Sequence, residues 1–519
     1  MAPRGEIGLH WPSATVLLAI GGALLSVFIV RVVYRLYLHP LAKYPGPKIA
    51  AATHLCEVYY DVWQRGQYFF KLQEWHKKYG PIIRVNPDEI HIADADFLLQ
   101  NVFTNNATKK RNKYERATRV FGAPQAAIST VDHDWHRVRR SAIARSFTPE
   151  SIRRVEPIIR TYLQRLFARL DRFQKNGQPL TMSLLFSAFT ADVVTEYAFA
   201  KSMGYMEMND LNEEFFRMMV GVHEMGAPAR YWPWLMPLMN KMPLSLTLKM
   251  NPGMARFFEF QEDMRSRIRE VQSKQAFYEK LDHKTVFHEI LQSDLPDNEK
   301  TVERLWQEAE IVSIAGTETT AWTLAVIVVH ILSNTDIRNR LRKEILAVPE
   351  DNQSWRQLER LPYLNALIKE GLRLSFGVTS RLVRQCPNEV ISYTANGKTY
   401  EIPANTPIST SAPIYHLDES IFPEPKVFRP ERWLERPDLD KYLWSFSKGL
   451  RQCLGMHLAY AELFLVTFAL WRKYGGPGDK GLHLELYQTT EEDIEFKYDL
   501  FVPFPKKESQ GVRVLVKDD

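Results

Sequence analysis

A cysteine near the carboxyl end of the 519-residue chain stands where its thiol can ionise. Cys453 comes directly before an apolar helical pattern that begins near Leu454. The free N–H groups and the dipole of a helix N-terminus stabilise a negative charge, and so does a neighbouring cation such as Arg451. A lone cysteine is more often a small buried apolar residue than a ligand. The surroundings of Cys453 nevertheless favour a thiolate ligand.

The residues around Cys453 narrow the choice of the group that it would bind. They form the run Phe446-Ser447-Lys448-Gly449-Leu450-Arg451-Gln452-Cys453-Leu454-Gly455. Gly449 and Gly455 allow the backbone to approach a large flat group, and Phe446 can cover the sulfur. Zinc takes four ligands, whereas a haem iron has four from its porphyrin and needs an axial one. The pattern therefore predicts Cys453 as the axial ligand of a haem iron.

A second pattern lies inside a long apolar helix predicted over Val302–Asn334. Its centre reads Ala315-Gly316-Thr317-Glu318-Thr319-Thr320. One interpretation is a buried helix whose small residues allow close packing. The other is a local opening that admits water, because glycine weakens a helical turn and hydroxyl side chains compete for backbone hydrogen bonds.

A third pattern pairs Glu370 with Arg373 at a helical spacing of three residues. The spacing alone carries little information, because it recurs elsewhere, for example at Glu214 and Arg217. Its place in the chain adds weight, since a second basic run follows it and precedes the cysteine run. That second run is Phe428-Arg429-Pro430-Glu431-Arg432-Trp433.

A haem also carries two propionates, which need cations or N–H donors. Trp135 and Arg139 share one face of a predicted helix and offer an indole N–H and a guanidinium. Without a haem, a surface tryptophan beside a solvated arginine would explain them equally well. With Arg451, they are the predicted propionate partners. A further arginine is expected downstream of the third pattern, where Arg381 and Arg384 both qualify and Arg384 is preferred.

The spacing F-x-x-G-x-R-x-C-x-G resembles the haem-binding signature of the cytochrome P-450 superfamily of haem-thiolate monooxygenases. Five fixed residue types would match by chance in this chain on the order of once in ten thousand. The other patterns stand in that family's order, so the resemblance covers essentially the whole chain. One departure is Trp433, where phenylalanine is commoner. The implied fold is the cytochrome P-450 fold, mainly α with small β-sheets.

The resemblance also implies roles for the patterned residues. Glu318 and Thr319 would deliver protons during oxygen activation. Glu370 and Arg373 would lock onto Arg432 and fix the segment that presents the cysteine, which is a structural role.

The implied reaction inserts one oxygen atom of O2 into a hydrophobic small molecule, by hydroxylation or epoxidation. Electrons would come from NADPH through a separate cytochrome P-450 reductase, with cytochrome b5 as a further candidate donor. Arg137, Arg140 and Lys448 are the predicted docking cations. Two alternatives stay open, a haem-thiolate isomerase or dehydratase that needs neither O2 nor reductase, and a non-enzymatic membrane haem-binding protein.

The substrate pocket is expected to be apolar with few polar groups, which suits a terpenoid or a similar secondary metabolite. Residues Tyr34–Pro47 resemble fungal microsomal members, notably the trichodiene-oxygenase-like group of secondary metabolism. The predicted lining segments are Val120–Ser129, Ile311–Thr319, Phe376–Ser380 and Leu500–Phe504.

The N-terminal part of the chain predicts a membrane anchor. Ala14–Val30 carries no charge and is nearly long enough to span a bilayer, and basic residues follow it. A cleaved signal peptide is the alternative. We therefore expect an anchor segment over residues 1–43, a single domain over 44–519, and a catalytic domain on the cytosolic side of the endoplasmic reticulum. The acceptor motifs at Asn106 and Asn352 would carry glycans only in the lumen.

The rest of the composition is that of a globular protein. Lys and Arg (67) exceed Asp and Glu (61) by only six, and no basic run of five or more occurs, so nucleic-acid binding is not expected. Cys56, Cys386 and Cys453 make no disulfide framework. Helical periodicity predominates and strand-like pieces are short. A glycine-rich stretch over residues 476–481 matches G-x-G-x-x-G but lies between a helix and a strand, which predicts a loop.

Overall fold

The fold is mainly helical, as the sequence predicts. The computed structural model describes residues 14–250, 253–281 and 283–518. Its α-helices are α1 (Ala14–Val33), α2 (Lys48–Ala52), α3 (Leu55–Val58), α4 (Tyr68–Tyr79), α5 (Ala95–Asn101), α6 (Glu115–Thr118), α7 (His133–Ala144), α8 (Pro149–Asn176), α9 (Met182–Phe199), α10 (Glu213–Tyr231), α11 (Leu235–Lys241), α12 (Leu244–Met250), α13 (Met254–Ser273), α14 (Gln275–Tyr278), α15 (Val286–Leu291), α16 (Val302–Ser333), α17 (Thr335–Leu346), α18 (Trp355–Leu358), α19 (Pro362–Ser375), α20 (Ala412–His416), α21 (Glu431–Glu435) and α22 (Met456–Lys473).

The strands are short and form four small sheets. They are β1 (Ile82–Arg84), β2 (Ile90–Ile92), β3 (Asn112–Lys113), β4 (Leu180–Thr181), β5 (Leu382–Gln385), β6 (Ile391–Ala395), β7 (Lys398–Ile402), β8 (Pro407–Thr410), β9 (Leu482–Leu486), β10 (Tyr498–Leu500), β11 (Val502–Phe504) and β12 (Arg513–Asp518). One sheet has the order β1-β2-β8-β5-β3, another has β4-β12-β9, and β6-β7 and β10-β11 are hairpins. The β6-β7 turn at Asn396-Gly397 has positive φ at both residues, as that dipeptide predicts.

Helix α16 runs through the middle of the largest hydrophobic core. It is apolar enough to resemble a membrane span, but most of its residues are buried in the protein, as predicted. The expected opening near Gly316 is wrong, because the helix is continuous from Val302 to Ser333. A Cβ at Gly316 would lie 2.8 Å from Val194 Cγ2 of α9, so the glycine allows two helices to pack closely. The simpler interpretation of the small residues is therefore correct.

Helix α1 lies outside these cores. None of its residues is buried, and together with the turn that follows it to Leu38 it is a candidate membrane span. The first thirteen residues of the predicted anchor segment lie outside the described residues.

Two helices, α18 and α19, follow one another closely because Pro362 begins a new helix. The glycine-rich stretch over residues 476–481 is a loop between α22 and β9, as predicted.

Candidate functional site

The cysteine loop is a tight turn held by backbone contacts. The Cys453 N–H donates to the Phe446 carbonyl at 2.8 Å, and α22 begins three residues further on at Met456. Gly449 has a φ of 76°, and a Cβ there would lie 2.5 Å from the Phe103 carbonyl oxygen. Gly449 is therefore required by the turn itself, whereas the prediction gave it the task of admitting a flat group. The Phe446 ring lies 5.1 Å from that of Tyr460.

The sulfur of Cys453 faces an internal space. Burial raises the pKa of the Cys453 thiol, opposed by the Gly455 N–H and the charge of Arg140, yet the residue is solvent-accessible. A thiol that is surrounded by protein and still accessible must border a cavity. A Cβ at Gly455 would meet no atom within 4 Å, and Ala315 is exposed in the middle of α16. A cation bound to the sulfur would favour the thiolate form.

A metal bound here would need other ligands than side chains. Among residues 14–250, 253–281 and 283–518, no group of three or more His, Cys, Asp or Glu side chains could hold a metal ion. A metal at Cys453 must therefore bring most of its ligands with it, as a porphyrin iron does.

Beside the cysteine loop lies a largely buried cluster of basic side chains, which we call the cation cluster: Lys113, His136, Arg140, Arg384 and Arg451. Burial lowers the pKa of Arg384 to about 10, and burial together with the charges of Arg384 and Arg140 lowers that of Arg451 to about 9. Burial and repulsion by the other members also lower the pKa of His136 to about 2 and that of Lys113 well below its usual range.

No member of the cation cluster forms an ion pair in the described part of the chain, although the charge of Asp132 acts to raise the pKa of Arg451. Arg384 donates to the Val383 carbonyl at 2.9 Å, and Lys113, its cross-strand neighbour, donates to the Ile128 carbonyl. Arg451 donates to the carbonyls of Thr130 and Val131 at 2.7 and 2.9 Å. Carbonyl oxygens solvate these cations but do not neutralise them. A dianionic group next to Cys453 would do so, and a haem with two propionates fits this requirement.

Three residues named from the sequence lie elsewhere. Arg139 Nε and Nη2 donate to the two oxygens of the Glu299 carboxylate, at 2.7 and 2.8 Å, so Arg139 does not join the cation cluster. Trp135 lies at the surface beside Arg139, with the guanidinium 5.7 Å from its ring. Arg381 is bound to Glu57 and Glu89, which leaves Arg384 as the arginine without a carboxylate. The predicted choice of Arg384 over Arg381 agrees with this geometry, whereas that of Trp135 and Arg139 does not.

The candidate propionate partners that the sequence analysis did not identify lie one residue further along α7 than Trp135 and Arg139. His136 and Arg140 have the same spacing of four as Trp135 and Arg139, and they lie on the face of α7 that meets the cysteine loop. The spacing could have suggested either pair. The contact with Glu299, 160 residues away in the chain, decides between them.

The predicted triad is assembled and fully buried. The Glu370 carboxylate accepts from Arg373 Nε at 2.9 Å and Nη2 at 2.8 Å, and from Arg432 Nε at 3.0 Å. It also accepts from the Arg429 N–H at 2.8 Å and from Trp433 Nε1 at 2.9 Å. Burial acts to raise the pKa of Glu370, but these partners outweigh it and the net shift is downward. Trp433 thus adds a fifth donor that the commoner phenylalanine could not provide.

Three of the four segments predicted to line the substrate pocket contact one another. The first of them also meets α16 just before the fourth segment, where the Ala127 N–H donates to the Glu308 carboxylate at 2.9 Å. The rings of Phe121 and Phe501 lie 5.2 Å apart, and the Phe501 carbonyl accepts from the Thr379 N–H at 3.0 Å. The sequence did not identify α10 as part of this region.

The two proposed proton-delivery residues lie next to each other on α16 and make different contacts. Thr319 Oγ1 donates to the Ala315 carbonyl at 2.9 Å. Glu318 Oε2 lies 2.5 Å from His223 Nε2 of α10.

Of the predicted docking cations, Arg137 alone is exposed. Arg140 belongs to the cation cluster, and Lys448 is partly buried with its Nζ 3.3 Å from the Asp440 carbonyl.

Comparison with known proteins identifies the chain. Its sequence matches the cytochrome P-450 family over residues 51–475. The chain belongs to the cytochrome P-450 family. This cytochrome P-450 is 40% identical to the cytochrome P-450 monooxygenase tpcC of Cochliobolus heterostrophus, with 98% of each chain covered. It is 38% identical to tryptophan 6-hydroxylase fscE of Fusarium equiseti (97% of this chain, 98% of the relative) and 36% identical to fusicoccadiene C-8 hydroxylase of Phomopsis amygdali (94% of each).

Membership of the family confirms several predictions together. The chain is a monooxygenase of the fungal secondary-metabolism group, and its family uses a haem whose iron has a thiolate ligand. The cation cluster and the accessible cysteine fit that group. The isomerase and the non-enzymatic alternatives are superseded.

Proposed function

We propose that this cytochrome P-450 hydroxylates a hydrophobic intermediate of fungal secondary metabolism, a terpenoid or a compound of similar character, while anchored to the endoplasmic reticulum. The observation that carries the proposal is the accessible Cys453 beside a buried cation cluster that lacks a counter-ion. Two of the relatives named above are hydroxylases, which favours hydroxylation over epoxidation.

Cys453 would be the axial ligand of the haem iron, and Arg384 and Arg451, with Arg140 and His136, would hold the propionates. When bound, the haem supplies the activation of O2 and the insertion of one of its oxygen atoms. The proposed role of the protein is to hold and orient that group. The Glu370, Arg373 and Arg432 triad would fix the segment that leads to the cysteine loop.

Proton delivery is the second proposed role of the protein. Each turnover of a monooxygenase consumes two protons, which must reach a site from which bulk water is largely excluded. Glu318 and Thr319 stand on the buried helix α16 beside the exposed Ala315. The Thr319 hydroxyl can donate to an oxygen atom in that space if it gives up its bond to the Ala315 carbonyl, and Glu318 can replace the proton.

The substrate would lie among the four segments predicted to line the pocket. Phe121 and Phe501 offer aromatic surface there, which suits a largely apolar molecule. The names of the relatives cover tryptophan and fusicoccadiene, so sequence similarity alone does not select one substrate.

The proposal also includes a membrane anchor and an electron donor. Helix α1 would cross the membrane, with a single domain over residues 44–519 on the cytosolic side. NADPH–cytochrome P-450 reductase would supply electrons, with cytochrome b5 as a further candidate, and the exposed Arg137 would contact its acidic surface. Glycans on Asn106 or Asn352 in the expressed protein would contradict the cytosolic orientation.

The first test is the carbon monoxide difference spectrum of reduced membranes that contain the chain. We expect the strongly red-shifted band of a thiolate-ligated haem, lost in Cys453→Ser and kept in Cys386→Ser, a control at a buried cysteine away from the cysteine loop. A histidine-type band, or none in the wild type, would contradict the proposed ligand. Comparing metabolites of a deletion strain with its parent would then identify the substrate class.

A further inference from the structure

His223 makes a direct contact between α10 and the proposed proton-delivery helix. Its Nε2 lies 2.5 Å from Glu318 Oε2, although 95 residues separate the two in the chain. Both side chains are largely shielded from solvent, with 12% and 22% of their surfaces exposed. An ion pair in such a place is strongly directional, because water does not screen it.

The histidine is held from a second side by the β10-β11 hairpin. The Leu500 carbonyl accepts a hydrogen bond from the imidazole, and the Phe504 ring lies 5.5 Å from it. Burial acts to lower the pKa of His223, but the Glu318 carboxylate and the Leu500 carbonyl outweigh it, and the net shift is upward. With the Glu318 carboxylate at Nε2 and the Leu500 carbonyl beside the ring, the imidazolium is the form that both contacts favour.

Glu318 has no other side-chain hydrogen-bond partner within the described residues. A narrow pocket lies beside it, lined by side chains of α9, α10, α13 and α16. The hydroxyls on this pocket donate to other acceptors: Thr195 to the Ala191 carbonyl, Thr317 to the Ser313 carbonyl and Ser313 to the Met264 sulfur. His223 is thus the ionisable group placed to return a proton to Glu318.

We propose that His223 is a positioning residue for Glu318, which it holds in place and reprotonates. From the ion pair, the Nε2–H of His223 transfers to Glu318 Oε2, Glu318 passes that proton to the reaction, and the neutral imidazole regains a proton from solvent. One proton moves at each step and no electron does. The inference rests on the proposed role of Glu318 in proton delivery.

The test needs no substrate, because O2 itself reports on proton delivery. In the absence of substrate, an NADPH-dependent reductase drives the enzyme to reduce O2 either to H2O2, with two electrons and two protons, or to water, with four of each. Slow proton delivery favours peroxide. The measured quantity is H2O2 released per NADPH consumed by the full-length protein in membranes, in H2O and in D2O.

We expect His223→Leu to raise the peroxide ratio several-fold toward one per NADPH, with a larger solvent isotope effect, because loss of a proton donor slows such steps by roughly a hundredfold or more. His223→Gln keeps a hydrogen-bond donor to Glu318 but cannot pass on a proton, so its peroxide ratio should lie between those of the wild type and His223→Leu. Met219→Leu, on the same helix and pocket, should behave like wild type. The carbon monoxide band of each variant checks that it still folds and binds haem.

The Glu318→Gln variant tests the proposed role of Glu318 separately from that of His223. If Glu318→Gln raises the peroxide ratio and His223→Leu leaves it unchanged, the inference about His223 is wrong and the role of Glu318 stands. If Glu318→Gln also behaves like wild type, the proposed role of Glu318 and the inference about His223 are both wrong. The double variant should be no worse than Glu318→Gln alone, and additive effects would contradict a shared path.

Discussion

Replacing Trp433 with phenylalanine tests how the cysteine loop is held. The indole Nε1 donates to Glu370 Oε2 at 2.9 Å, inside a buried network of five donors. A hydrogen bond to a charged group contributes roughly 1.5–3 kcal/mol. Trp433→Phe removes this bond while the four other donors keep Glu370 ionised. The smaller ring also leaves a small void beside Phe422, whose ring lies 5.7 Å away.

Trp471→Phe is the matched control for the void. Trp471 is fully buried, but its Nε1 has no partner, so this change removes ring volume without removing a hydrogen bond. The difference between the two variants therefore isolates the bond to Glu370. If the bond is absent from the transition state of unfolding, about 1.5–3 kcal/mol corresponds to a rate increase of about 10- to 150-fold.

The assay follows the loss of the thiolate-type carbon monoxide band with time at a raised temperature. We expect the band to disappear at least about tenfold faster in Trp433→Phe than in Trp471→Phe. Equal rates in the two variants would refute the argument that the indole N–H stabilises the triad.

Three further predictions concern the site itself. Thr319→Ala should divert NADPH consumption from product to H2O2, measured as peroxide per NADPH with the substrate present; product yields equal to wild type would exclude Thr319 from proton delivery. Arg384→Leu should weaken haem retention but stabilise the cofactor-free protein by up to about 3 kcal/mol, since burial on folding lowers the pKa of Arg384 from its usual range to about 10. Urea unfolding measures this change, and a destabilised cofactor-free variant would argue against electrostatic strain. His136 has a pKa of about 2 in the folded protein and about 6.5 in the unfolded chain, so the unfolded state binds more protons below pH 6.5. The free energy of unfolding therefore falls as the pH drops, by roughly 2 kcal/mol at pH 5. His136→Gln should flatten this part of the curve of unfolding free energy against pH, and an unchanged slope would contradict the burial of His136 among cations.

The motif residues could be predicted because their information is local in the sequence. Cys453 and its glycines lie within ten residues, and Glu370, Arg373 and Arg432 are identified by their spacing and order. The structure assembles the triad that the sequence predicts.

The parts that could not be predicted depend on contacts between distant segments. Arg139 and Arg140 are adjacent on α7, and Glu299 determines which of them turns away. Gly316 suggested an opened helix because its partner Val194 cannot be identified from the sequence. His223 lies in an ordinary helical stretch, and its contact with Glu318 arises only when α10 crosses α16.

The cation cluster lowers the stability of the protein before the haem binds. Lys113, Arg140, Arg384 and Arg451 repel one another inside the protein, so a freshly synthesised chain without haem is less stable than its hydrophobic core alone would make it. A ligand that binds only the folded state adds stability that grows with its free concentration. Chains made when haem is scarce therefore unfold more often and are degraded sooner. The amount of enzyme in the cell then follows the haem supply without a dedicated regulator.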